Sequence, residues 1–138
     1  MKLRTKRIEE WIIIEGADPG EKAEFLVHPL SPKEVNAMLE KVKIVEWDKG
    51  QRFVDHNFYK FKLLKIFATI IKWKGVEDED GNELGCIDAN KEIIYLGNSE
   101  LIDQVLEKAD ALYKAVQESV EKEAKNSLPA PDGTATLM

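Results

Sequence analysis

The chain is poor in the residues that carry acid–base and metal chemistry: 138 residues hold two histidines and one cysteine. Histidine is the usual proton carrier near neutral pH, and a nucleophile needs a base held beside it. His28 ends a run that stops at Pro29, and His56 lies well downstream. Neither is near Cys86 in sequence or beside a Gly-x-Ser-x-Gly elbow. Tetrahedral zinc asks for four His or Cys ligands, commonly in closely spaced pairs, and three scattered residues do not supply them. Gly75, Gly81 and Gly85 lack both the Gly-Lys-Ser/Thr ending of a phosphate loop and the Rossmann spacing. These shortages predict a protein that is not an enzyme and holds no metal or cofactor.

Two further absences bound its setting. With Cys86 alone an intramolecular disulfide is impossible, and a reducing cytoplasm is expected. Long apolar runs are missing as well. Trp11–Ile14, behind Lys2, Arg4, Lys6 and Arg7, is too short for a secretory signal, so no export is expected. The stretch Leu63–Trp73 is broken by Lys65 and Lys72 and falls short of the ~20 residues that span a bilayer.

What remains is ordinary globular material, 43% hydrophobic and 33% charged, with a net charge of −6 that repels phosphate backbones and anionic membranes. A chain of this length buries about two-thirds of its unfolded surface, enough for one real core. Residues 1–125 read as a single α+β domain and 126–138, with Pro129, Pro131 and Gly133, as a disordered polar tail.

Ile8–Ile14 and Glu24–His28 are β-rich runs around Gly16-Ala17-Asp18-Pro19-Gly20 and predict an N-terminal hairpin. Ser31-Pro32-Lys33-Glu34 then supplies an N-cap, a proline at the first helical position and a capping box. Val35, Met38, Leu39 and Val42 follow on one helical face, expected to dock on the core. Ile44–Trp47 with Asp48-Lys49-Gly50 fits either a strand or an extended connector. A second helix is expected from Asp55, as its cap, to Trp73, through Tyr59, Leu63, Ile66, Phe67, Ile70 and Trp73. The acidic turn Glu77–Glu83 contains Asp80-Gly81 and predicts a small hairpin, followed by a short helix over Asp88–Leu96. Read as a calcium loop with Gly81 sixth, the turn places Val76 first and Ile87 twelfth, and both end ligands fail.

The longest element is a C-terminal amphipathic helix capped by Asn98 or Ser99. Its apolar stripe runs through Leu101, Ile102, Val105, Leu106, Ala109, Leu112, Tyr113, Val116 and Val120. Glu118–Lys122 and Glu121–Lys125 support its end as i,i+4 pairs. The stripe is wider than a coiled-coil seam, so part of it can pack on its own domain and part on a second protein. Leu101, Val105, Leu112, Val116 and Val120, with Trp73, are therefore the candidate protein-binding residues. Trp11, Trp47 and Trp73 all lie in or beside apolar runs, where core packing is the simpler use. Lys60, Lys62, Lys65, Lys72 and Lys74 form the one basic face able to track phosphates. It contains no arginine, and the acidic turn begins three residues after Lys74. Nucleic acid is thus the weaker reading.

Phe25-Leu26-Val27-His28-Pro29-Leu30-Ser31-Pro32-Lys33-Glu34 runs from a strand through a proline-leucine step into a capped helix. Ile70-Ile71-Lys72-Trp73-Lys74-Gly75-Val76 precedes Asp78-Glu79-Asp80-Gly81, and a helix from Leu101 leaves through Lys125-Asn126-Ser127 into a polar tail. Over about residues 8–127 this order resembles the tail assembly chaperones and related small tail-morphogenesis proteins of tailed phages and prophages. The resemblance implies an α+β domain that binds the long, aggregation-prone tape measure protein, and the tail tube protein as a further partner, in the bacterial host cytoplasm. It also implies self-association into rings or filaments. A structural tail or head-to-tail virion component, and a nucleic-acid-binding accessory protein using Lys60–Lys74, are the alternative functions.

Overall fold

The computed structural model describes Met1 and residues 7–127, with side chains in the last helix described through Ser119. Lys2, Arg4, Lys6, the tail from residue 128, the side chain of Val120 and the Glu118–Lys122 and Glu121–Lys125 pairs lie outside the described residues.

The chain is α+β, with an N-terminal hairpin of β1 (Glu10–Glu15) and β2 (Lys22–Val27) in the expected place. Its connection is closed by the Gly16 N–H on Glu21 O at 2.7 Å, with Gly20 at φ 80°. Alternation along β1 and β2 turns Ile12, Ile14, Ala23, Phe25 and Val27 to one side and Trp11, Ile13, Glu24 and Leu26 to the other. Only the first side is buried on helices.

Helix α1 (Pro32–Lys41) begins with the predicted capping box. Ser31 Oγ accepts from Glu34 N–H, and the Glu34 carboxylate accepts from Ser31 N–H at 3.1 Å. The expected docking is only partial. Val35, Met38 and Leu39 are half-buried against the next helix, and full burial comes only at Val42, just past the helix end.

The ambiguous segment is a strand, β3 (Lys43–Asp48), paired with an unanticipated β4 (Gln51–His56). Lys49 and Gly50 both take positive φ, 51° and 78°, as a two-residue hairpin turn requires. Because β4 runs to His56, the next helix starts later than expected. Asn57, not Asp55, caps α2 (Phe58–Thr69), its Oδ1 accepting from Lys60 N–H at 3.1 Å.

Helix α2 also ends earlier than its periodicity suggests. Thr69-Ile70-Ile71 is a β-branched run, and Ile70–Lys74 form β5, antiparallel to β2 with a register shift at Leu26/Val27. The three-stranded sheet has the order β1-β2-β5. The acidic turn closes through one bridge, Glu77 to Glu83, with Gly81 at φ 82° and the Asp78 carboxylate accepting from the N–H groups of Asp80 and Asn82.

Helices α3 (Asp88–Gly97) and α4 (Ser99–Ser127) come next with almost no linker. Asn98 ends one and opens the other: its N–H bonds Ile94 O, and its carbonyl accepts from Ile102 N–H. α4 therefore carries Asn126 and Ser127, assigned to the tail on sequence grounds. The core lies between the inner sheet face and α2, α3 and α4, and joins Phe25, Val27, Ile66, Ile70, Trp73, Ile94, Ile102, Val105 and Ala109. Lys91, only 5% exposed, donates to Phe67 O at 3.3 Å and pairs with Asp88 at 3.2 Å, so its charge meets the carbonyl end of α2. Among the described residues, no helix is long and apolar enough to cross a membrane.

Candidate protein-interaction surfaces

The six candidate residues separate into two groups. Trp73 is a core residue on β5, 7% exposed, with its ring edge-on to Phe25 and its indole N–H on Leu84 O at 2.7 Å. Gly75, at φ 77°, lies so close to Lys22 O that a Cβ there would meet it at 3.0 Å, so glycine is what lets this strand exit approach β2. Val105 is fully buried and Leu101 packs half-buried on the same cluster. Trp73 and Val105 are thus spent on the core of this chain, and the more exposed candidates lie farther along α4. Helical spacing marks the stripe of α4 but not where its tertiary cover stops.

That cover stops at Ala109, the last fully buried residue of α4 among those described. Leu112 and Val116, farther along the same face, are half-buried. Beside Leu112 runs β1, an edge strand of the sheet, with Trp11 and Ile13 40% and 48% exposed. Trp11, Ile12 and Ile13 of β1 and Lys108, Ala111 and Leu112 of α4 line an open groove of about 520 Å³. Lys108 Nζ donates to Ile13 O at 3.1 Å across it.

The sequence reading missed a larger apolar exposure on the β3–β4 ribbon. Trp47 is 69% exposed and Phe53 50%, while Val45, Val54 and Ile44 lie between 39% and 45%. Both faces of the ribbon meet water, whereas the main sheet covers one face with helices. The available signal was the alternation of Val45 and Trp47 before the Lys49-Gly50 turn, with Val54 opposite Val45 after it.

The basic face is broken up by the fold. Lys60, Lys62 and Lys65 are on α2, and Lys72 and Lys74 on β5. Lys62 pairs with Asp103 at 2.8 Å, Lys65 lies over the Phe61 ring, and Lys74 lies 4.6 Å from the Trp11 ring centroid. Residues 60–74 thus do not form one helical track of cations.

The titratable side chains serve the scaffold. His28 is buried, with Nδ1 2.8 Å from Ile8 O and Nε2 2.9 Å from the Glu34 carboxylate. Burial pushes the Glu34 carboxyl up, but bonds from Ser31 and His28 outweigh it and hold the group below the ordinary glutamate range. Burial also raises the Cys86 thiol, which donates to Ile71 O at 3.6 Å, opposite to the activation of a nucleophile. A cleft of about 330 Å³ lies between the β1–β2 turn, the exit of β5 and the α3–α4 junction. Glu15, Glu21, Glu77 and Asp78 line it with Lys22. Among the described residues, no group of three or more His, Cys, Asp or Glu is placed to hold a metal ion.

No family model, curated protein or solved structure matches the chain.

Proposed function

We propose that this chain works without catalysis as a tail assembly chaperone of a tailed phage or prophage, holding apolar helical segments of the tape measure protein. The observation that carries the reading is a mismatch along α4. Among the described residues full burial ends at Ala109, yet the helix continues to Ser127, with Leu112 half-covered beside the exposed Trp11 and Ile13 and Val116 half-covered farther along. An apolar groove between a helix and a sheet edge suits the apolar face of a guest helix. The charge of −6 keeps the carrier dissolved while that groove is open.

Co-expression with the tape measure protein tests the reading, with the tail tube protein as a second client. The wild-type chain is expected to raise the client's solubility and co-elute with it, and the Leu112→Asp, Val116→Asp double variant to lose both effects. A client equally soluble with and without the chain, and no co-eluting complex, ends the proposal. Mass spectrometry of purified particles separates the structural alternative, since a chaperone is absent from finished tails and a virion component is present in them.

A further inference from the structure

The β3–β4 ribbon sorts its side chains by face. Cross-strand partners project to the same side, and successive pairs to opposite sides. One face therefore carries Lys43 with His56, Val45 with Val54, and Trp47 with Arg52. It holds two permanent cations and no acid, while Glu46, Asp48 and Asp55 all fall on the opposite face. Trp47, 69% exposed, stands at the turn end of the basic face. At the other end the His56 ring has the exposed Phe58 ring beside it, 5.9 Å between centroids. Exposed Val45 and Val54 lie between the two ends. Four residues of strand separate Arg52 from His56, about 13 Å. Each end thus joins aromatic surface to a cation: Trp47 to Arg52, and His56 with Phe58 to Lys43.

Both cations are open to a partner. Arg52 makes no ion pair among the described residues. Lys43 meets only the exposed Glu40, at 3.4 Å, a surface pair that a phosphate displaces at little cost. With a net charge of −6 the chain repels polyanions over most of its surface. One is admitted only where cations are set apart from carboxylates, as they are on this face.

We infer that the basic face of the ribbon binds single-stranded nucleic acid, with one base on Trp47, another on the His56–Phe58 pair, and the neighbouring phosphates at Arg52 and Lys43. The strand must be single because a flat ring stacks on the face of a base, which a duplex keeps inside its own stack. An acidic peptide would answer the charge alone, but aromatic surface at both ends of a basic track suits bases spaced along a backbone. Val45 and Val54 offer no hydrogen bond to a base edge, so recognition is tolerant of sequence. Glu46, Asp48 and Asp55 turn phosphates away from the back of the ribbon and confine the strand to one face. Two phosphate contacts give a log–log dependence of affinity on salt with a slope of about −1.4. The inference uses none of Lys60–Lys74 and is independent of any client at the β1–α4 groove.

Fluorescence anisotropy of labelled oligo-dT and oligo-rU with the full chain in low salt tests it, the two probes telling DNA from RNA as the strand bound. Either or both are expected to bind, with affinity falling as salt rises at a slope near −1.4. Arg52→Gln is expected to bring the slope closer to zero by about 0.7, the share of one phosphate. Trp47→Ala is expected to weaken binding about 5-fold or more, and Phe53→Ala, on the opposite face, to leave it unchanged. Circular dichroism checks folding, and Trp47→Leu, which keeps the apolar bulk without a ring, replaces a Trp47→Ala chain that does not fold. Neither probe binding in low salt overturns the inference. So does a folded Trp47 variant that binds as the wild type does, or a blunt duplex or poly-glutamate that displaces the strand as well as unlabelled oligo-dT.

Discussion

The protein contains two antiparallel β systems built from similar residues and treated in opposite ways. In β1-β2-β5, Phe25, Val27, Ile70 and Trp73 are covered by α2, α3 and α4. In β3–β4, Trp47, Phe53, Val45 and Val54 are at least two-fifths exposed. The difference arises from the path the chain takes on leaving each hairpin. Beyond β2 it returns through α2 as β5 and adds a third strand, whereas beyond β4 it turns directly into a helix that packs elsewhere. Strand-forming residues alone do not make a core, since a sheet face is buried only where another layer comes back over it.

The sharpest way to break this contrast is at its matched phenylalanines. Phe25→Ala removes a fully buried ring beside Trp73 and is expected to cost about 3–5 kcal/mol in urea unfolding. Next in size is Lys91→Met, which keeps the packing stem but removes the donor to Phe67 O, at about 1–3 kcal/mol by the same measurement. Between the two β systems stands α1, where Ser31→Ala removes half of a capping box and is expected to cost ~1 kcal/mol.

A smaller effect depends on pH. Because the Glu34 carboxyl is lowered in the fold, its contribution is present above its unfolded value and is lost as pH falls through the folded one. Glu34→Gln should therefore flatten the acid limb of a Tm-against-pH curve, and an unchanged limb would show that the bonds from Ser31 and His28 do not stabilise the fold. Phe53→Ala is the smallest, within about 0.5 kcal/mol in dilute monomer. A loss above ~2 kcal/mol there would mean that the ribbon is packed and the comparison fails.

How far each element was legible in sequence depends on the range over which it is decided. The capping box at Ser31-Pro32-Lys33-Glu34 is settled within four residues, and the β1–β2 hairpin by a turn joining two alternating runs. β5 was hidden because Ile66, Ile70 and Trp73 satisfy a helical period, while pairing with Phe25, far back in the chain, makes Ile70–Lys74 a strand. β4 was hidden because Lys49-Gly50 is a weaker turn signal than Asn-Gly and Asp55 competes as a helix cap. At the candidate site the stripe of α4 was legible as amphipathic. Its division at Ala109 was not, because it is set by where the edge of β1 lies, and that same packing buries Val105 and Trp73.

If a client helix occupies the groove as proposed, the lysine reaching across it filters the shape of that guest. Trp11, Ile13 and Glu15 direct backbone groups away from β2, and such an unpaired edge ordinarily invites foreign strands and runaway sheet growth. With Lys108 Nζ on Ile13 O, an extended intruder must first evict a charged amine to gain its ladder. A helix, whose amide groups are already satisfied within itself, needs nothing from that carbonyl and only has to lay its oily side along Leu112 and Trp11. The same contact that protects the protein from sticking to copies of its own edge leaves the groove open to a rod.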